Sequence, residues 1–186
     1  DAANIDLKAF TERFYWKICG GHLEPVLETL KYLRNETDVW FELTCLLIPG
    51  ENDSEAEIDK MTEWIVGNLG PDVPLHFTAF HPDWKMRDKP PTPVQTLRRS
   101  REIALGNGLC HVYTGNVHDR AGSSTYCRQC GETLIGRDWY LLSDWGVEMH
   151  DGMAVCRYCG AGITGVFEHQ PGTWGARREP VKIALL

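Results

Sequence analysis

Hydrophobic and polar positions follow two alternating periods through the first two thirds of the chain. Asn4-Ile5-Asp6-Leu7-Lys8 alternates polar and apolar residues, as a short strand does. Thr11 is placed to cap a helix over Glu12–Cys19, which Gly20-Gly21 closes. The next helix has Pro25 in its first turn and carries Val26, Leu27, Leu30 and Leu33 at the spacing of a buried stripe. Val39–Ile48 is apolar almost throughout and predicts a central parallel strand, stopped by Pro49-Gly50. Ser54-Glu55-Ala56-Glu57 forms a capping box for a helix with Ile58, Met61, Ile65 and Leu69 on one face. Leu75–Phe80 predicts a third strand. Thr92, with Pro93 in the first helical position and Gln95 completing a second capping box, predicts a helix to about Leu105. Cys110–Thr114 predicts a fourth strand.

The resulting order, β-α-β-α-β-α-β, has crossovers of helical length and therefore predicts parallel strands. Four such strands make half of a barrel or part of a doubly wound sheet. An intact barrel takes about 250 residues, more than residues 1–125 supply. The chain also begins at Asp1 without a methionine and almost flush with a strand, which predicts a fragment or a processed form. In parallel α/β folds, function gathers at the carboxyl ends of the strands. Asp6 and Lys8, the Pro49–Asp53 turn, His81 and Asp83, and Asn116 and His118 all fall there.

Residues 126–186 follow a different pattern. Cys127-Arg128-Gln129-Cys130-Gly131 and Cys156-Arg157-Tyr158-Cys159-Gly160 are two Cys-x-x-Cys-Gly knuckles with 25 residues between Cys130 and Cys156. A knuckle aims two sulfurs the same way, and its glycine permits the positive φ that turns backbone N–H groups toward them. Cys127, Cys130, Cys156 and Cys159 together supply a tetrahedral thiolate site. Zinc suits it, although iron uses the same ligands. Trp139–Leu142 and Val147–His150 read as strands, with Asp144-Trp145-Gly146 as the turn or loop between them. Gly162–Gly165, Val166-Phe167 and Val181–Leu185 follow. This predicts a small zinc-ribbon or rubredoxin-like β unit that needs its metal to fold.

Composition narrows the function. The formal net charge of −7 over 186 residues disfavours nucleic acid. Within the ribbon, Arg128, Arg137, Arg157, Arg177 and Arg178 are interspersed with acidic residues, so no basic stripe forms. No run reaches the roughly 18 apolar residues of a membrane span. The absence of secretory features and the paired Cys-x-x-Cys motifs predict a reducing, cytoplasmic setting. Cys19, Cys45 and Cys110 read as small buried hydrophobes, and Phe14, Tyr15, Trp16, Trp40 and Trp64 as packing groups.

Taken as a set, Asn4–Phe10, Leu47-Ile48-Pro49-Gly50-Glu51-Asn52-Asp53, Phe80-His81-Pro82 and Tyr113-Thr114-Gly115-Asn116-Val117 resemble radical S-adenosylmethionine (SAM) enzymes. The resemblance is to the C-terminal half of the pyruvate formate-lyase activating enzymes. The knuckles after the Gly-Asn-Val segment point to the radical SAM member of the AmmeMemoRadiSam system. The resemblance implies an α/β partial (β/α)6 barrel with parallel strands. It also implies a 4Fe–4S cluster that cleaves SAM reductively to a 5′-deoxyadenosyl radical, which takes a hydrogen atom from a substrate. Asp6 and Lys8 match the family's Asp-x-Lys contacts to SAM. His81 matches a position near its adenine and ribose, and Thr44 stands where activating enzymes often carry arginine. The family's Cys-x-x-x-Cys-x-x-Cys cluster motif does not occur in this sequence, so the cluster ligands are expected outside this chain. The implied partners are a substrate, with a protein as one candidate, and the system's Memo-like and AMMECR-like proteins.

Each residue also has a plainer reading. Asp6 and Lys8 make sense as a strand-end ion pair, His81 as a loop histidine, and Glu51–Ser54 as a turn leading into a helix cap. For the whole chain, the alternative is a non-catalytic α/β module whose zinc ribbon docks a protein.

Overall fold

Trp40–Leu47 (β2) has Phe41, Leu43, Cys45 and Leu47 buried, with Trp40, Glu42, Thr44 and Leu46 half-exposed between them. Its near-continuous apolar sequence predicts burial on both faces; only the face that packs against helices is fully buried. The structure, a computed structural model, describes residues 2–173, 175 and 177. In it β2 lies between Ala2–Asp6 (β1) and Leu75–Ala79 (β3), with Val112–Gly115 (β4) beyond β3. All four strands are parallel and stand in chain order, as the βα alternation predicts.

Four helical segments connect or flank these strands: Glu12–Phe14 (α1), Leu23–Glu36 (α2), Glu55–Leu69 (α3) and Val94–Gly106 (α4). Leu27 and Leu30 from α2, Ile58, Met61, Ile65 and Leu69 from α3, and Leu97 and Ala104 from α4 form one core with Leu43, Phe77 and Val112. Burying a leucine- or isoleucine-sized side chain is worth about 1.5–3 kcal/mol, so this single apolar face is the main stabilising feature of the unit.

Local chemistry departs from the sequence reading at several points. The helix capped by Thr11 remains α-helical only to Phe14 and then widens into a π-helical turn, Tyr15–Cys19, closed by Gly20 at φ 69°. Phe14 and Tyr15 are buried, but Trp16 is 63% exposed, contrary to the packing role expected for it. Cys45 is buried as expected, whereas Cys19 is exposed and Cys110 half-buried.

Ser54 does cap α3, accepting the Glu57 N–H at 3.3 Å. The Glu57 carboxylate completes no reciprocal box; it accepts the Phe10 N–H at 2.7 Å and ties the loop after β1 to α3. Thr92 is not a cap, because Pro93 occupies the N-cap position of α4. The Thr92 hydroxyl instead donates to the Leu47 carbonyl at 2.6 Å and accepts the Phe80 N–H at 2.9 Å, joining the ends of β2 and β3.

The chain divides into two compact units, Asp1–Gly122 and Ser123–Leu186. In the second, Thr125–Tyr126 (β5), Thr133–Asp138 (β6) and Leu141–Trp145 (β7) form an antiparallel sheet. Val147–His150 (β8) and Met153–Cys156 (β9) form an antiparallel hairpin. Asp144-Trp145-Gly146 is therefore no hairpin turn. Trp145 still pairs with Ile135, and Gly146 passes the chain directly from β7 to β8. A Cβ on Gly146 would come within 2.9 Å of both the Thr133 carbonyl and the Tyr158 ring, so only glycine fits. The tight turn lies at Asp151-Gly152, with φ values of 49° and 80°, as a two-residue Asp-Gly hairpin requires. The expected strand at Val181–Leu185, like Arg178, lies outside the described residues.

Candidate cofactor and metal sites

β1 ends at Asp6, whose Oδ2 lies 2.9 Å from the Nζ of Lys8. Both side chains retain solvent access, and they satisfy each other as the simple ion-pair reading has it. The Lys8 backbone is held from three directions. Its N–H donates to the Tyr15 hydroxyl at 3.1 Å, and its carbonyl accepts Asn52 Nδ2 at 2.6 Å and the Cys45 thiol at 3.5 Å. Burial pushes the Tyr15 phenol up to about 12 and raises the Cys45 thiol further, so both stay protonated at neutral pH.

Asn52 does most to fix this end of the sheet. It is 1% exposed, and beyond its bond to Lys8 it accepts the Ile48 N–H at 2.7 Å and donates to the Leu46 carbonyl at 2.9 Å. The sequence presents it as a turn residue; the fold uses its amide to join the loops after β1 and β2. An asparagine in a Pro-Gly-x-Asn turn carries no sign that its side chain points inward.

Thr44 pairs in register with Asp6, and its hydroxyl donates to Asn4 Oδ1 at 2.9 Å. His81 is exposed in the segment after β3. The register runs on from Thr44 to His76 on β3 and Tyr113 on β4, so Asp6, Thr44, His76 and Tyr113 form one row across four strands. These side chains lie on the face opposite the helices. His76 Nε2 is 2.7 Å from Glu42 Oε2, and the His76 and Tyr113 rings stack with centroids 5.0 Å apart. Sequence reading missed His76, Glu42 and Tyr113. Their alternation with buried Leu75, Leu43 and Val112 was the available signal. The row offers carboxylate, hydroxyl, imidazole and phenol groups to a polar ligand, and the Asp6–Lys8 pair stands at its edge.

The second site is built by two similar turns. The Gly131 N–H bonds to the Cys127 carbonyl at 2.9 Å, and the Gly160 N–H to the Cys156 carbonyl at 2.8 Å. The two glycines have φ values of 77° and 75°, the positive-φ conformation predicted for the knuckles. Sγ–Sγ distances are 3.7 Å for Cys127–Cys159 and 3.8 Å for Cys130–Cys156, and all four sulfurs lie within 4.8 Å of one another. Zinc–sulfur bonds of about 2.3 Å at tetrahedral angles place sulfurs about 3.8 Å apart, so the four thiols fit such an ion.

Electrostatics agrees with that fit. Burial is the largest single influence on Cys127 and opposes its ionisation, yet the N–H groups of Cys130 and Gln129 bring the thiol down to about 7. Cys130 is pushed up to about 12 despite the Glu132 N–H, because burial and the neighbouring sulfurs resist a further negative charge. A cation among the sulfurs would favour their thiolate forms. Around it pack Leu134, Ile135, Val147 and Ala154, a core of few side chains.

No family model matches the chain. It is 41% identical over 163 residues to the uncharacterized protein MJ0808 of Methanocaldococcus jannaschii, an alignment covering 88% of this chain and 48% of that protein. The chain thus spans about half the length of the curated relative it matches. Among solved structures, a domain of pyruvate-formate lyase-activating enzyme from Bacteroides vulgatus superposes with a TM-score of 0.53. That match covers 62% of this chain and 67% of the other, at 19% sequence identity. The chain therefore has an α/β fold like that domain's, with a four-cysteine group suited to a metal. Among the described residues, no helix is long and apolar enough to cross a membrane.

Proposed function

We propose that this chain is the C-terminal part of a cytoplasmic radical SAM enzyme, the radical SAM member of the AmmeMemoRadiSam system. The observation that carries the reading is the clamped end of β1. Asp6 and Lys8 stand together at a strand terminus, and their loop is fixed by Asn52, Tyr15 and Cys45, in a fold like that of an activating-enzyme domain. Asp6 offers a carboxylate to ribose hydroxyls, and Lys8 an ammonium to the methionyl carboxylate. Thr44 lies beside Asp6 in register, and His81 on the segment after β3. When bound, the 4Fe–4S cluster and SAM supply a 5′-deoxyadenosyl radical for hydrogen abstraction; the cluster ligands are assigned to a part of the protein outside this chain. The role of these residues is to bind and orient SAM. The ribbon's four cysteines hold zinc as a structural ion. The substrate is taken to be a protein, and Memo-like and AMMECR-like proteins are the proposed partners.

SAM binding to the full-length protein tests the reading. Asp6→Asn and Lys8→Met should each weaken binding roughly tenfold or more, the loss of one charge-assisted bond. Unchanged affinity in both variants would overturn the assignment.

A second reading, a docking module without radical chemistry, draws on one observation. Among the described residues, the ribbon's thiols are the one group of side chains arranged to hold a metal. Zinc as the sole metal, with no SAM binding by the full-length protein, would favour it.

A further inference from the structure

We infer that a cleft on the α/β unit, separate from the strand-end row and from the cysteine site, binds a small apolar carboxylate. The cleft has a volume of about 180 Å³ and lies between the α1 segment with its π-helical turn and the Gly50-Glu51 turn after β2. Phe14 and Ile18 give it an apolar wall, and Arg13 and Lys17 bring two cations. Arg13, from α1, and Lys17, from the π-helical turn, line the same cleft.

The balance of charge decides the ligand. Neither Arg13 nor Lys17 takes part in an ion pair among the described residues. The acidic groups of the cleft are already engaged. Glu51 pairs with Lys89, and Glu57 accepts the Phe10 N–H. Burial holds the Glu57 carboxyl above its usual range. With Glu51 paired to Lys89, Arg13 and Lys17 outnumber the one remaining carboxylate, Glu57, beside the apolar wall. This balance suits a carboxylate that bonds to the Arg13 guanidinium while its hydrocarbon packs on Phe14 and Ile18. This inference is independent of SAM and of the metal.

The test is titration of the isotope-labelled full chain with 4-methylpentanoate, following the backbone amides of Ile18 and Gly50 by NMR. The expected result is saturable shifts with a Kd of about 1 mM. 4-Methylpentanamide, the uncharged isostere, should give no saturation. The double variant Arg13→Gln/Lys17→Gln should bind roughly tenfold more weakly or worse. Both side chains are exposed, so its unfolding midpoint should be unchanged. Absence of saturation, equal binding of the amide, or undiminished affinity in the double variant would each overturn the assignment.

Discussion

The sulfur of Cys127 lies 3.7 Å from that of Cys159, far beyond the roughly 2.05 Å of a disulfide and close to one edge of a zinc–thiolate tetrahedron. With zinc as the proposed structural ion, metal analysis of the purified protein should find one zinc ion for each ribbon. Structural zinc sites contribute on the order of 10 kcal/mol to small domains. Cys156→Ser, or a strong chelator, should expose residues 123–186 to proteolysis while leaving the α/β unit's helical circular dichroism intact. Retained protease resistance after complete metal removal would contradict this.

Thr92 joins two strand ends through one hydroxyl. Thr92→Val removes the donor to Leu47 and the acceptor for Phe80, leaving two buried backbone groups unpaired. A loss of about 2–4 kcal/mol is expected in urea unfolding, with Thr92→Ser close to wild type. A Val variant as stable as the Ser variant would show that the bridge contributes little.

The buried Asn52 side chain makes three hydrogen bonds, one of them to the carbonyl of Lys8. Asn52→Ala should cost about 2–4 kcal/mol, and Asn52→Asp at least as much, because a carboxylate cannot donate to the Lys8 and Leu46 carbonyls. If the strand-end site binds SAM, Asn52→Ala should also weaken that binding without touching the ligand. Thermal unfolding and SAM titration together separate the two effects.

Much of the architecture is legible in the residue pattern. Ile58, Met61, Ile65 and Leu69 read as one buried face and form one, and the βα alternation predicts the parallel sheet. The cysteine knuckles are equally direct, because a metal site imposes its spacing on the chain. What stayed hidden depends on tertiary partners. Thr92 and Glu57 fit capping signatures that the fold uses for long-range bonds, since a hydroxyl or carboxylate at a helix start can bond either way. His76 and Glu42 lie 34 residues apart and meet only through strand register. The hairpin turn falls at Asp151-Gly152 and not at Asp144-Trp145-Gly146, whose glycine is required by crowding.

Acid stability should report on Asp119, whose side chain is 2% exposed and bonds to Arg98 at 2.9 Å and to the Thr114 hydroxyl at 3.1 Å. The Arg98 guanidinium holds its carboxyl below the usual range, and the Thr114 hydroxyl adds to this against the effect of burial. A lowered folded pKa means that the unfolded chain binds the proton first. The stabilisation is therefore complete above an unfolded value of about 3.9 and is lost as the pH falls through the folded one. Arg98→Met should lower stability at neutral pH, with the difference closing in acid. A difference that stays constant across that range would point to lost packing instead.

The proposed membership of this chain in a SAM-cleaving enzyme can be tested on the whole protein. The most direct measurement is 5′-deoxyadenosine formation by the anaerobically prepared full-length protein with SAM and a strong reductant. Reductant-dependent 5′-deoxyadenosine is expected from a protein containing iron and sulfide besides one zinc, with its formation strongly reduced in Lys8→Met. A full-length protein that contains zinc alone and forms no 5′-deoxyadenosine would contradict it.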